Sequence, residues 1–188
     1  MAREIVVVRH GETEWSIARK HTGRTDLPLT DAGRERAAAL AGILGERSFA
    51  LVLVSPLLRA RETCELAGLG DRAEISEDLR EWDYGDYEGL TTPEIRERDP
   101  DWVLWRDGCP GGETPGEVSA RAERALKRLQ AADGDAIAFA HGHILRVLSA
   151  RWIEQPVDVG SRLVLGAGAI SVLGFEHENQ ALLHWNRT

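Results

Sequence analysis

Three short stretches of this sequence carry residues suited to handling a phosphate group. Arg9-His10-Gly11 follows Ile5-Val6-Val7-Val8, Ser55-Pro56 and then Arg59 follow Leu51-Val52-Leu53-Val54, and His141-Gly142-His143 follows Ala136-Ile137-Ala138-Phe139-Ala140. Two arginines bring permanent charge and planar forks of donors that match phosphate oxygens. A neutral imidazole, with a free pKa of about 6.5, is a competent nucleophile near neutral pH. If Arg9, Arg59 and His141 grip one phosphoryl group, its phosphorus faces the ring of His10. Attack then gives a phosphoramidate on His10, and the arginines stabilise charge on the transferring group. Gly11 and Gly142 let the backbone approach an anion closely, and helices opening after them would aim amide-rich N-termini at it. A single carboxyl group can protonate the leaving alkoxide and later take a proton from water. Glu12, Glu81, Asp83, Asp86 and Glu88 are the acidic candidates, and composition does not choose among them.

The elements that must position these residues can be read from pattern. Each of the three apolar runs is short and unbroken, as in a strand buried on both faces of a parallel sheet. Thr30 opens a helix with Ala37, Leu40, Ala41 and Leu44 on one face, closed by Gly45. Pro56 starts a helix through Leu66, and Gly142 starts one to about Trp152. Thr114-Pro115-Gly116-Glu117 is a capping box that opens a helix to about Ala132. Ala169–Phe175 and Ala181–Trp185 alternate around Glu176–Asn179 and read as a closing hairpin. Strands alternating with helices predict a three-layer α/β sandwich with a mostly parallel central sheet. Ligands in such sheets bind at the carboxyl ends of strands, where all three polar stretches fall. We expect one domain over residues 1–188. Within it, residues 79–116, rich in Trp, Tyr, Gly and Pro, form a small helical cap that sets selectivity.

With 188 residues, 43% hydrophobic and 29% charged, the chain has the balance of a globular domain. No apolar run approaches the roughly 18 to 20 residues of a membrane span, and the amino terminus lacks the pattern of a signal peptide. A cytoplasmic location without membrane attachment is expected. Cys64 and Cys109 read as free thiols, and no zinc-binding spacing occurs. The net charge of −8 argues against nucleic acid as a partner. It also requires local arginines to override the global field at an anion site. Val164, Leu165 and Val172 would suit a homodimer contact, and burial in the core explains them equally well.

The motifs together resemble the histidine phosphatase superfamily, in its branch related to cofactor-dependent phosphoglycerate mutase. The similarity rests on Val8-Arg9-His10-Gly11-Glu12-Thr13-Glu14-Trp15, Thr22-Gly23-Arg24-Thr25-Asp26-Leu27-Pro28-Leu29-Thr30, Ser55 to Thr63, Leu79 to Gly89, and His141-Gly142. The resemblance implies a phosphoglycerate mutase-like fold, with His10 as nucleophile and Glu81 as proton donor and acceptor. It implies a phosphate pocket of Arg9, Arg59 and His141, with Thr22, Gly23 and Tyr84 along the substrate. It implies no metal and no dissociable cofactor. His21 and Gly142 are further candidate substrate contacts. Ser16 stands where many members carry asparagine near the phosphate. With Trp82-Asp83-Tyr84-Gly85 and Trp105-Arg106-Asp107-Gly108-Cys109, it resembles the group that includes sedoheptulose-bisphosphatase-like enzymes. The expected activity is metal-independent hydrolysis of small phosphomonoesters, sugar phosphates or bisphosphates, with Arg106 a candidate for a second phosphate. The rivals are a phosphoglycerate mutase, a non-catalytic phosphate-ligand binder, and a metal site of His10, His141 and Glu81. The short chain and the Gly85-Asp86-Tyr87-Glu88-Gly89 motif favour the phosphatase.

Overall fold

The computed structural model describes residues 3–188; Met1 and Ala2, on which the reading of the amino terminus partly rests, lie outside the described residues. The first half of the chain forms β1 (Ile5–Arg9), a short α1 (Glu14–Ile17), α2 (Asp31–Leu44), β2 (Leu51–Val54), α3 (Leu58–Leu66) and β3 (Ala73–Ile75). The second half forms α4 (Thr92–Arg98), α5 (Leu104–Asp107), α6 (Pro115–Gln130), β4 (Ala136–Ala140), α7 (Gly142–Trp152), β5 (Ile170–Glu176) and β6 (Asn179–Arg187). One six-stranded sheet runs in the order β3-β2-β4-β1-β5-β6. Its β3, β2, β4 and β1 are mutually parallel, while the closing hairpin of β5 and β6 adds to β1 antiparallel.

The three apolar runs are central strands because both of their faces are covered. Val6, Val8, Val52, Val54, Ile137 and Phe139 pack against Leu40 and Leu44 of α2 and Ala60 and Cys64 of α3. The alternate residues Ile5, Val7, Leu53, Ala136, Ala138 and Ala140 face α6 and α7. This is the three-layer sandwich expected, with a mixed sheet. Residues 79–116 contain only short helical pieces, yet Trp82, Tyr84, Tyr87, Ile95, Trp102 and Leu104 join the cluster under α6 and α7. Leu165 and Val172 are core residues, whereas Val164 is exposed. Cys64 and Cys109 are free and buried, and burial pushes each thiol up to about 12. Among the described residues, no helix is long and apolar enough to cross a membrane.

Two helix starts differ from expectation. The third helix begins at Leu58 rather than Pro56: Leu57 before it is extended, and its side chain offers no cap. The carboxylate of Asp26, from a distant loop, accepts the Leu58 amide at 2.7 Å instead. After Gly11 the chain stays extended until the four-residue α1, which Thr13 and Ser16 cap reciprocally.

Candidate active site

Strand register brings the three polar stretches to one edge. Arg9 lies opposite Ala140, and Val54 opposite Phe139. The His10 amide donates to the carbonyl of Ala140 at 2.9 Å, and the Ser55 amide to that of Phe139 at 3.0 Å. His10 and His141 therefore leave adjacent strand ends, with ring centroids 5.2 Å apart.

The tautomer of the His10 ring follows from its partner. Nδ1–H of His10 donates to the Gly11 carbonyl at 2.7 Å, which leaves Nε2 with the free lone pair. Burial, then Arg59 and Arg9, holds the His10 pKa well below the free value, so the ring is neutral. The Ser55 hydroxyl accepts from the Leu57 amide and lies 2.7 Å from Nε2 of His141. Nδ1 of His141 is buried with no protein partner. Burial and the same two arginines keep this ring neutral as well.

Arg59 is fully buried, and its fork donates to the carbonyls of Thr25 at 3.0 Å, Thr22 at 3.0 Å and Gly23 at 3.1 Å. Arg9 donates through Nη1 to the Leu165 carbonyl. Buried polar atoms without partners are uncommon, since each costs about 1–3 kcal/mol. Among the described residues four buried side-chain nitrogens or oxygens have none: Arg9 Nε, Arg59 Nε, His141 Nδ1 and Ser149 Oγ. Three of the four belong to the predicted phosphate grip.

Of the five candidate acids, only Glu81 lines the cavity beside His10. Its Oε1 accepts the amides of Trp82 and Ile144, and its Oε2 that of His143, each at 2.9 Å. The N-terminus of α7 thus holds Glu81, where the sequence had suggested that it would hold phosphate. The Gly11 amide likewise goes to the Thr63 hydroxyl at 3.0 Å and is not aimed at an anion. The other acids are committed elsewhere: Glu12 accepts from Thr30, Asp83 pairs with Arg24, and Glu88 grips the amides of Gly23 and Thr25. Asp86 lies by Gly111.

The cavity holds about 330 Å³, and Arg9, His10, Ser16, His21, Thr22, Glu81, Tyr84 and Gly142 all line it. Arg59 and His141 are fully buried and are not part of this lining, and Gly23 is turned away, its amide on Glu88 and its carbonyl on Arg59. The Ser16 hydroxyl donates to the Thr13 carbonyl, and Nδ1–H of His21 to that of Leu90, each at 2.8 Å. Tyr84 Oη meets His143 Nδ1 at 2.5 Å. Burial drives the Tyr84 pKa well up and the His143 pKa well down, so a phenol O–H donates to a neutral ring. Gly33 lets α2 abut the loop: a Cβ there would lie 2.3 Å from the Glu12 carbonyl oxygen.

Arg106 is not at this site. It is exposed, lies outside the cavity lining, and its Nε and Nη2 are held by the Asp107 carboxylate at 2.6 and 2.8 Å. Residues the sequence reading passed over do line the cavity, notably Arg19, Lys20 and Arg146. A signal for Arg146 existed, since it stands one helical turn beyond Gly142 on the same face. Ser55 was read only as a strand ending. Among the described residues no cluster of three or more His, Cys, Asp or Glu is placed to hold a metal ion, so His10, His141 and Glu81 do not form one.

Residues 5–188 match the histidine phosphatase superfamily (branch 1). The chain is 43% identical over 177 residues to an acid phosphatase of Mycobacterium tuberculosis, covering 92% of this chain and 87% of the relative. It is 39% identical to sedoheptulose 1,7-bisphosphatase of Saccharomyces cerevisiae, with 93% and 88% covered. The solved structure of an open reading frame product of M. tuberculosis superposes with a TM-score of 0.94 at 40% identity, covering 99% and 98%. A mycobacterial glucosyl-3-phosphoglycerate phosphatase superposes at 0.86 and 29% identity, with both chains fully covered. The chain belongs to branch 1 of the histidine phosphatase superfamily and is an enzyme of the phosphatase class.

Proposed function

We propose that this phosphatase hydrolyses small phosphomonoesters, sugar phosphates and bisphosphates among them, through a phosphohistidine on His10. The observation that carries this reading is a set of three buried, partnerless nitrogens, on Arg9, Arg59 and His141, together with a neutral His10 whose pKa burial and both arginines lower. Donors with no protein acceptor suit an anion's oxygens, and the free Nε2 of His10 suits attack on its phosphorus.

In the first step Nε2 bonds to phosphorus and the bond to the leaving oxygen breaks. Its electron pair stays with that oxygen, which takes the proton carried by Glu81. In the second step water gives a proton to Glu81 and bonds to phosphorus. The P–N bond breaks, its electron pair returns to Nε2, and inorganic phosphate leaves. No step requires a metal or cofactor. The neutrality of His10 supports the first step, and the place of Glu81 between the cavity and α7 supports the proton transfers. In this reading the chain acts as one domain, with residues 79–116 as the cap that selects the leaving group. The two free, buried cysteines are in keeping with a cytoplasmic location.

A screen of phosphorylated metabolites on the parent and on His10→Ala tests the reading. Parent turnover should persist with chelator present, and the variant should lose about 10³-fold or more while keeping its circular dichroism. Turnover in the variant near parental levels would overturn the mechanism.

A further inference from the structure

The last strand of the chain reaches back to the wall of the cavity. Residues 163–169 lead into β5, and Leu165 of this loop lines the cavity. The loop also seats the first two residues of the site. The Leu165 carbonyl accepts from Arg9 Nη1 at 2.5 Å, the Ala169 carbonyl accepts the Arg9 amide at 3.1 Å, and the Gly168 amide donates to the His10 carbonyl at 2.9 Å. Among the described residues, the bond to Leu165 is the one hydrogen bond that the Arg9 side chain makes. That carbonyl is therefore the polar hold on a guanidinium whose Nε is buried and partnerless.

The carbonyl belongs to the Leu165–Gly166 peptide. In a trans peptide the C=O and N–H lie in one plane and point opposite ways. The Gly166 amide donates to Oδ1 of Asn186 at 2.7 Å. Holding the amide thus aims the carbonyl, and the rigid peptide carries the constraint from Asn186 to Arg9. The two bonds also polarise each other through the peptide. Nε1–H of Trp185 fixes the preceding carbonyl, that of Val164, at 2.6 Å.

Both holds exist because β6 is irregular. Ile170 pairs with Arg187 and Val172 with His184, so Trp185 and Asn186 together oppose Ser171 alone. Successive side chains of a regular strand leave on opposite faces, whereas this bulge sends both to one loop. Asn186 has a φ of +55°. Asparagine and aspartate enter this left-handed region more readily than most residues, and glycine most readily of all. The bulge has its own backbone anchor, since the Asn186 amide donates to Ser171 Oγ at 3.0 Å. Glycine would satisfy that backbone; what asparagine adds is the acceptor for the loop.

We propose that Asn186, seconded by Trp185, is a positioning residue for Arg9: it orients the Leu165–Gly166 peptide, which aims the guanidinium at the phosphoryl group. The inference rests on the phosphatase reading of the cavity and adds to it a hold from the far end of the chain.

Hydrolysis of para-nitrophenyl phosphate and inhibition by inorganic phosphate test this role. Asn186→Gly keeps the left-handed backbone and removes the acceptor. Its kcat/KM should fall about tenfold or more, and its inhibition constant for phosphate should rise about tenfold, as expected when a charge-assisted contact is misplaced. Asn186→Asp keeps an acceptor at the same place and should bring both values back to within about threefold of the parent. A merely structural role would not follow the acceptor in this way. Values for Asn186→Gly within about twofold of the parent, or equal losses in Asn186→Asp, would overturn the positioning role. If Asn186→Gly does not fold, Trp185→Phe carries the test. It should lower kcat/KM at least about threefold with a matching rise in the inhibition constant, and no change would overturn the proposal. Arg9→Met tells the two possible failures apart. If it leaves hydrolysis and inhibition unchanged, the phosphate grip itself falls, and the positioning role with it. If it cripples both while the variants at 185 and 186 do nothing, only the positioning role falls.

Discussion

Acidification from about pH 7.5 to about pH 5.5 should remove up to about 4 kcal/mol of folding stability, through three buried rings. His10, His141 and His143 are held well below the free pKa, first by loss of hydration and then by nearby arginines. In the unfolded chain each titrates near about 6.5. Below that value the unfolded state takes up a proton that the folded ring refuses. The depressed folded pKa thus makes stability fall as pH falls, by about 1.4 kcal/mol per histidine over this range. For a chain of this size, about 4 kcal/mol corresponds to roughly 8–16 °C in Tm. Asp135 is lowered despite its burial, by the Glu4 amide and Arg47, and acts in a separate window below about pH 4. Urea unfolding at the two ends of the range, followed by tryptophan fluorescence, measures the effect. His143→Gln should lose about one third of the dependence. Stability that is flat over this range, or that rises in acid, would refute neutral, buried imidazoles and with them the ready nucleophile.

Other perturbations separate chemistry from scaffold. Glu81→Gln should lower kcat by about 10²–10⁴-fold for alkyl phosphates. The loss should be much smaller for para-nitrophenyl phosphate, whose leaving group needs less protonation; equal losses on both would remove Glu81 from the proton role. Gly33→Ala forces a Cβ onto the Glu12 backbone, so thermal unfolding should show a loss of about 1–3 kcal/mol. Its activity should fall as well, because Glu12 belongs to the loop that follows His10; an unaltered Tm and kcat would mean that the α2 contact does not set the loop.

Much of the candidate site was legible because it is built on strand ends. His10 and His141 announce themselves as polar endings of runs too apolar to be anything but buried, and adjacent parallel strands then bring them together. Glu81 was not legible from residue types. Five acids share its neighbourhood, and only the fold shows that four are engaged in pairing or amide contacts elsewhere or lie outside the cavity. The resemblance to a known family supplied that choice. The helix N-termini misled for a related reason: pattern shows that an amide-rich end exists, and only coordinates show that Glu81 takes it. Arg106 misled because an arginine next to an aspartate in sequence prefers its neighbour to a distant ligand. The edge strand β3 went unseen because it has three residues, all at least partly exposed, and no apolar run. Its pairing with β2 comes from the backbone alone.

The most direct test is to trap the enzyme during turnover. Alkaline quench preserves a phosphoramidate, and mass spectrometry of the digested protein then locates it. The account predicts one phosphoryl group on the peptide that contains His10, formed faster than phosphate is released and missing from His10→Ala. Steady phosphate release with no phosphoryl group on His10, or with the same label in His10→Ala, would contradict it.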